Sequence, residues 1–298
     1  MLTIAILTRR HLRVFWRDHL TVFFTLLGPL ALFVLFGLFL RKQTAQLIQR
    51  GVPGSSDADA YGMCDAWVFA SVVALSCFTG SLGMLMGFVD DHATGRFSDY
   101  LVAPVKRVEL ATSYLIATVT VSFIISALFM AFSQVWALLF GSAVMSWKLT
   151  LECLAAIFLA CLIFSAMNTF IVTFLGSQGA MGGYSITMGS AMGFLAYCFV
   201  TPLGLATWVN NVLGLLPFAE TASLIRHSLM APATNQIVSS LPTQDLQDQA
   251  RDTLMSNLAV TLTVDGSVLS NWLVVGILLV LAIIFGVLAS LRMDRVIH

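Results

Sequence analysis

Long stretches without a single Asp, Glu, Lys or Arg limit most severely what this chain can fold into. Residues 21–40, 66–89, 110–147, 153–219 and 266–291 are uncharged runs of 20, 24, 38, 67 and 26 residues. Crossing a hydrocarbon core of about 30 Å takes about 20 helical residues, so every run is long enough to span a membrane. The 298 residues are 58% hydrophobic and 10% charged, with a mean hydropathy of +0.91, whereas soluble domains carry about 25% charged residues. That composition excludes a water-soluble enzyme and a disordered chain. Fifteen basic residues balanced by fifteen acidic ones also exclude a nucleic-acid binder, which needs a basic surface.

The first, second and fifth runs each give one helix, at about 20–40, 66–89 and 268–291. The third gives a helix over 110–140 that ends near Gly141. As one helix the 67-residue run would be about 100 Å long, so it must break. The break falls at Gly176-Ser177-Gln178-Gly179 and leaves spans at 153–175 and 180–200. The apolar remainder, 202–217, is too short to span and contains Pro202, Asn210 and Pro217. It reads as a re-entrant or interfacial hairpin before the last helix, acting as an outer gate. The fold class is therefore an all-α integral membrane protein with six transmembrane helices over 20–298, preceded by an amphipathic segment over 1–19. Nine basic residues fall beside helix ends on the side of the termini. Six fall opposite (Arg41, Lys42, Arg50, Lys148, Arg226 and Arg251), so both termini are expected in the cytoplasm.

Three further features stand out. At 100° per residue, Arg9, Arg10, Arg13 and Arg17 gather on one side of the first segment, with Ile6 among them. An interfacial helix facing anionic headgroups or a generic positive flank would both read this way. The connection over 90–107 mixes Asp90, Asp91 and Arg96 with Phe97, Tyr100 and Leu101, while Gly95 suits a turn and Pro104 a stop. A short helix docked on another protein would use these aromatics as anchors, and a loop resting on the membrane would also hold them. In the external connection 231–265, Leu246, Ala250, Leu254 and Leu258 recur every four residues, as in an amphipathic helix.

Chemistry inside the runs is sparse. Gln134 and Asn168 are the amides at mid-membrane positions, suited to interhelical hydrogen bonds. No ionisable group lies mid-run, which argues against ion coupling. All five histidines sit at ends or in loops, no metal-ligand spacing occurs among the five cysteines, and no phosphate-binding loop is present. An intramembrane enzyme would need one of those constellations.

Together these features resemble the membrane subunit of an ABC-2 type transporter. The resemblance rests on Phe15-Trp16-Arg17-Asp18 with Thr25-Leu26-Leu27-Gly28-Pro29-Leu30, on the stretch from Gly95-Arg96-Phe97 to Lys106-Arg107, and on Leu215-Leu216-Pro217-Phe218-Ala219-Glu220 followed by Arg226. Two details depart from the pattern: Asp90 and Asp91 stand where members often carry glutamates, and 231–265 is long. The resemblance implies a non-enzymatic permease of the bacterial plasma membrane, paired with a second copy as a homodimer or paralogous heterodimer. A separate cytoplasmic ABC ATPase would bind ATP and Mg2+, and this chain would bind no cofactor. Asp91, Gly95, Arg96, Phe97, Tyr100 and Leu101 would form the ATPase-coupling helix. The cargo would be a drug, antibiotic, peptide or lipid-like amphipath. Alternatives are a lipid-linked polysaccharide and a membrane assembly or immunity factor that moves nothing. Polar groups are costly against lipid, so Ser76 and Thr79 of the second helix and Tyr184, Thr187 and Tyr197 of the fifth are expected to line the pathway. The same hydroxyls would also serve plain helix packing.

Overall fold

The computed structural model describes residues 2–96, 107–203, 205–264 and 267–296. Helix α1 covers Leu2–Arg17 and breaks at Asp18, whose carboxylate accepts from the Thr21 amide and so caps α2, His19–Leu32. Beyond Pro29, which has no amide to donate, the helix continues as a π-helical stretch over Phe33–Phe39. A short helix α3, Arg41–Gly51, leads to α4, Asp57–Ala93, which is 37 residues long. Then follow α5 (Arg107–Phe140), α6 (Trp147–Val172), α7 (Gln178–Leu195) and α8 (Thr207–Gly214). Helices α9 (Pro217–Ser239), α10 (Gln244–Asn257) and α11 (Asn271–Val296) complete the chain, with an antiparallel ribbon of β1 (Thr263–Val264) and β2 (Ser267–Val268) before α11.

Among the described residues, five helices are long and apolar enough to cross a membrane: His19–Phe39, Asp57–Ala93, Val108–Phe140, Trp147–Val172 and Asn271–Arg292. Burial separates their roles. The most apolar window of α4 is 83% buried, while those of the first and last are 22% buried. Helix α4 is therefore the central post, apolar all round because protein surrounds it, and the outer helices turn Phe23, Phe24, Ile283 and Val287 outward. Small residues set how closely the post is approached. A Cβ on Gly80 would stand 2.9 Å from the Ser122 Cα on α5, and one on Gly83 would overlap the Thr25 hydroxyl on α2.

The break in the 67-residue run lies where the glycine cluster sits, with Ser177 capping α7. The fifth expected span is shorter than the sequence suggested. Helix α7 has 18 residues and stops at Leu195 rather than near 200. Tyr197 adopts φ 54°, and the amides of Cys198 and Phe199 both turn back to the Gly193 carbonyl. Gly193 permits this turn, since a Cβ there would run into the Phe199 ring.

A larger correction concerns the residues after 217. Read as the start of an outer loop, they instead form α9, which lies inside the bundle against α4 and α6. Phe218 at its start packs on Phe78 and Phe164. At its other end Gln236 donates to Asp59, at the start of α4. Arg226, placed outside by its charge, is fully buried, and so is Glu220. Charged residues delimited the runs, so a helix carrying two charges inward was invisible to that criterion. The same contacts define the two ends of the bundle. One, here the proximal end, holds α1, the close of α4 and the C-terminal part of α11, where Arg292 lies over Phe174. The distal end holds α3, α10 and the start of α4. There α10 buries Ala250 and Leu254 and leaves Leu246 half exposed.

Candidate functional site

The proximal end gathers polar side chains from four helices around Asp91, at the close of α4. Its carboxylate accepts from the Tyr114 hydroxyl of α5 at 2.7 Å, from Arg10 of α1 at 3.3 Å and from Arg96 at 3.2 Å. Neighbouring Asp90 accepts from Arg96 at 3.1 Å and from Gln178, at the start of α7, at 3.0 Å. A carboxylate only accepts hydrogen bonds, so it can collect donors from several elements at once. These two aspartates thereby tie α1, α5 and α7 to α4. Helix α1 reaches them because Leu7, His11 and Phe15, at a spacing of four, face inward. Arg9, Arg13 and Arg17, with Ile6, face out, while Arg10 turns to Asp91. The His11 ring stacks on Tyr114 at 3.8 Å and lies 3.3 Å from the Ser113 hydroxyl. Burial, and then the adjacent Arg10 guanidinium, push the His11 pKa down to about 4 against the opposing pull of Asp91. His11 is therefore neutral at physiological pH.

Around this network lies a vestibule of about 300 Å3 walled by Arg10, His11, Asp18, Asp90, Arg96 and Gln178, among others. Above it runs an apolar groove of about 680 Å3 between α2, α4 and α7, lined by residues including Phe24, Leu32, Leu82 and Ile186.

The expected coupling residues divide at the edge of the described chain. Asp91 and Arg96 are paired as above. Gly95 takes φ 72° in the turn that ends α4, a conformation a Cβ would strain. Phe97, Tyr100 and Leu101 lie outside the described residues. The expected pathway residues are not brought to one surface. Thr79 lines the groove. Ser76 is buried and contacts Ser126 of α5 at 2.9 Å. The Tyr184 hydroxyl donates to Asn168 of α6, whose amide donates to Ser81 of α4. Thr187 is exposed on α7. Tyr197 is buried, and its hydroxyl donates to the Asn210 side chain at 3.1 Å. Asn210 in turn donates to the Pro202 carbonyl, so Tyr197, Pro202 and Asn210 form one knot, while Pro217 opens α9. Of the two mid-run amides, Asn168 bridges helices, whereas Gln134 accepts from the Met145 amide and closes the turn after α5.

Sequence reasoning missed Arg10, His11, Tyr114 and Gln178 as one network, because residues so far apart in the chain give no local pattern. It also missed the clamp on Arg226. That guanidinium donates to the carbonyls of Ala196 and Tyr197 at 2.8 and 2.9 Å, with the Ala259 carbonyl and the Ser71 hydroxyl at 3.4 and 3.3 Å. The free carbonyls at the end of α7 carry the negative pole of that helix, so they stabilise a cation without any carboxylate.

Residues 3–230 match the model of the ABC-2 type transporter family. No curated protein matches the chain. The matched region covers the proximal network, the groove and most of the residues that wall them, and it takes in well over half of the sequence. This multi-pass membrane protein belongs to the ABC-2 type transporter family.

Proposed function

We propose that the chain is the transmembrane permease subunit of an ATP-driven exporter in a bacterial plasma membrane. It has six spans, α7 being the short fifth, and both termini lie in the cytoplasm. Two permease chains, identical or paralogous, form the pathway as a dimer, and a separate cytoplasmic ATPase docks beneath them. The observation that carries this reading is the Asp90–Asp91 junction. It ties the start of the 91–101 segment to α1, α5 and α7 at once, so a push on that segment reaches three helices through one ion pair and two hydrogen bonds to carboxylates. Such a junction suits force delivered from outside the membrane. The knot of Tyr197, Pro202 and Asn210 forms the outer gate, with Pro217 as its hinge into α9.

Copurification from the native membrane tests the reading. An ATPase with a phosphate-binding loop should accompany the chain, and ATP should drive cargo movement in vesicles holding both. Replacing Phe97 and Tyr100 by Ala should weaken ATPase docking by about 1–2 kcal/mol per anchor and leave the membrane fold intact. Equal ATPase binding by wild type and the double variant would remove the coupling assignment.

A further inference from the structure

Helix α9 carries Glu220 and Arg226 into the bundle, and both are fully buried. Arg226 meets four acceptors there, whereas neither carboxylate oxygen of Glu220 has a hydrogen-bond partner among the described residues. Its depth follows from its neighbours. Phe218, two residues earlier, packs on Phe78 of α4 at 6.1 Å and stacks on Phe164 of α6 at 5.8 Å. Phe78 lies 13 residues after Asp65 and 12 before Asp90, the acids that bound the apolar run of α4. At 1.5 Å per residue each acid is about 18–20 Å from Phe78, so Glu220 sits near the middle of the hydrocarbon core. In the sequence the same residue merely closes an uncharged run, and the fold turns that boundary inward.

No second charge answers it among the described residues. On α6 the nearest is Glu152, 12 residues before Phe164. Helices α7 and α8 carry no Asp, Glu, Lys or Arg, and α11 carries none before Arg292 at the proximal end. Asp245, Asp248, Arg251 and Asp252 belong to α10 in the distal layer. On α9 itself Arg226 turns to backbone carbonyls, and His227 lies seven residues beyond Glu220. The other titratable groups on the surrounding elements are the thiols of Cys77, Cys161 and Cys198 and two phenols. Those phenols, Tyr184 and Tyr197, are hydrogen-bonded to Asn168 and Asn210. An ionised carboxylate in this place would have neither water nor a counter-charge, and adding a proton removes that cost. An ionisable group at such a depth is retained for use rather than for packing.

Neither vestibule nor groove is walled by Glu220, so its ligand must be one that needs no cavity. Ser165 and Thr169 of α6 add two buried hydroxyls without partners among the described residues. They follow Phe164 by one and five residues, which places them within about 11 Å of Glu220 along the bundle axis. A carboxyl O–H requires an acceptor and a carboxylate requires donors, and a hydroxyl can serve as either.

We propose that Glu220 is a proton-binding site, protonated while α9 is seated against α4 and α6 and deprotonated when the start of α9 opens to water. The proton passes from the carboxyl oxygen to water, and reseating α9 takes one up, so no further reactant enters. Pro217, three residues earlier, joins α9 to the knot of Tyr197, Pro202 and Asn210, and opening that knot exposes the carboxyl. Only this last link rests on reading the knot as the gate of an exporter.

Glutamates are few enough for a direct test. The chain has three, Glu109, Glu152 and Glu220. Full-length protein carrying isotope-labelled glutamate is placed in nanodiscs, and infrared spectra are recorded over a pH series. A labelled carboxylic-acid carbonyl band should be present at neutral pH and lost at alkaline pH. Glu220→Gln should abolish it, while Glu109→Gln and Glu152→Gln should keep it. Absence of the band at neutral pH, or its survival in Glu220→Gln, would overturn the site. Loss of the band on adding sodium or potassium at constant pH would mean a metal cation and overturn it as well. The seated fold binds the extra proton, so wild-type melting temperature should fall as pH rises through the midpoint of the band, and Glu220→Gln should flatten that fall. A Gln variant destabilised at neutral pH would show that the fold needs the ionised carboxylate and would reject the proposal. Asn210→Ala, which cuts the knot, should move the midpoint to lower pH, and an unmoved midpoint would remove the link to the gate. Failure of an ATPase to copurify bears on the exporter reading and leaves these spectra unchanged.

Discussion

At the residue scale, Arg226 and His11 hold buried positions by opposite means. Arg226 keeps a charge inside the bundle because carbonyls from α7 surround it. One guanidinium nitrogen meets both Ala196 and Tyr197 while the other reaches the Ala259 carbonyl, and lysine has no second nitrogen to span the two groups. Arg226→Met leaves those carbonyls unpartnered, and we expect it to lower stability by about 3 kcal/mol, with Arg226→Lys intermediate, in thermal melts of the purified protein. His11 is held neutral. Its folded pKa of about 4 lies below the ordinary 6.5, so unfolding takes up a proton between those values. Its contribution is complete above pH 6.5 and is lost as pH falls toward 4, by up to about 3 kcal/mol. Hydrogen exchange of the α1 amides should quicken over that window. His11→Phe, which keeps a ring against Tyr114, should flatten the profile, and an unchanged profile would reject the assignment.

At the element scale, contacts of the central post with its neighbours depend on absent side chains. Gly83→Ala sets a methyl against the Thr25 hydroxyl, and we expect a loss of about 1–3 kcal/mol. Adding Thr25→Ala should restore most of it, giving a large coupling in a double-mutant cycle. Gly80→Ala meets the Ser122 Cα, which no side-chain trimming can move, so Ser122→Ala should not rescue it. What was legible in the sequence follows the same division between local and distant causes. Helix limits set by a cap or a glycine could be read directly, as at Ser177 and Gly141. Five of the six expected spans became membrane-length helices because the length of an apolar run alone decides that. Helix α9 was hidden because it carries Glu220 and Arg226 inside the bundle, with Arg226 held by backbone carbonyls that no sequence pattern reveals. Ser76 and Tyr184 could not be told from groove residues, since the sequence gives a hydroxyl's presence on a helix but not the neighbour it faces. Asp91 and Arg96 were legible as a charged cluster at a helix end, but their partners on α1 and α5 were not.

At the scale of the whole molecule, we expect a second copy to meet the face made by α2, α4 and α7, where groove and vestibule open. Ile186 on that face is 74% exposed, and the five native cysteines are buried. Ile186→Cys should form an oxidative cross-link in native membranes, giving a band at twice the 32.3 kDa chain mass. Ile283→Cys, equally accessible on α11, should not. Cross-linking at both positions, or only at the second, would move the interface elsewhere. The clamp on Arg226 also bears on how the protein is made. An arginine at the centre of a helix in lipid costs about 2.5–3.5 kcal/mol at the insertion machinery, which favours packing α9 against protein over exposing it to lipid. It settles in a bundle that already offers Ser71 of α4 and the carbonyls that follow α7. Ser71, Ala196 and Tyr197 have by then left the ribosome, but the Ala259 carbonyl follows Arg226 by 33 residues. The bundle must therefore wait half closed for its last ligand, and a nascent chain arrested before that point is the form most exposed to quality control.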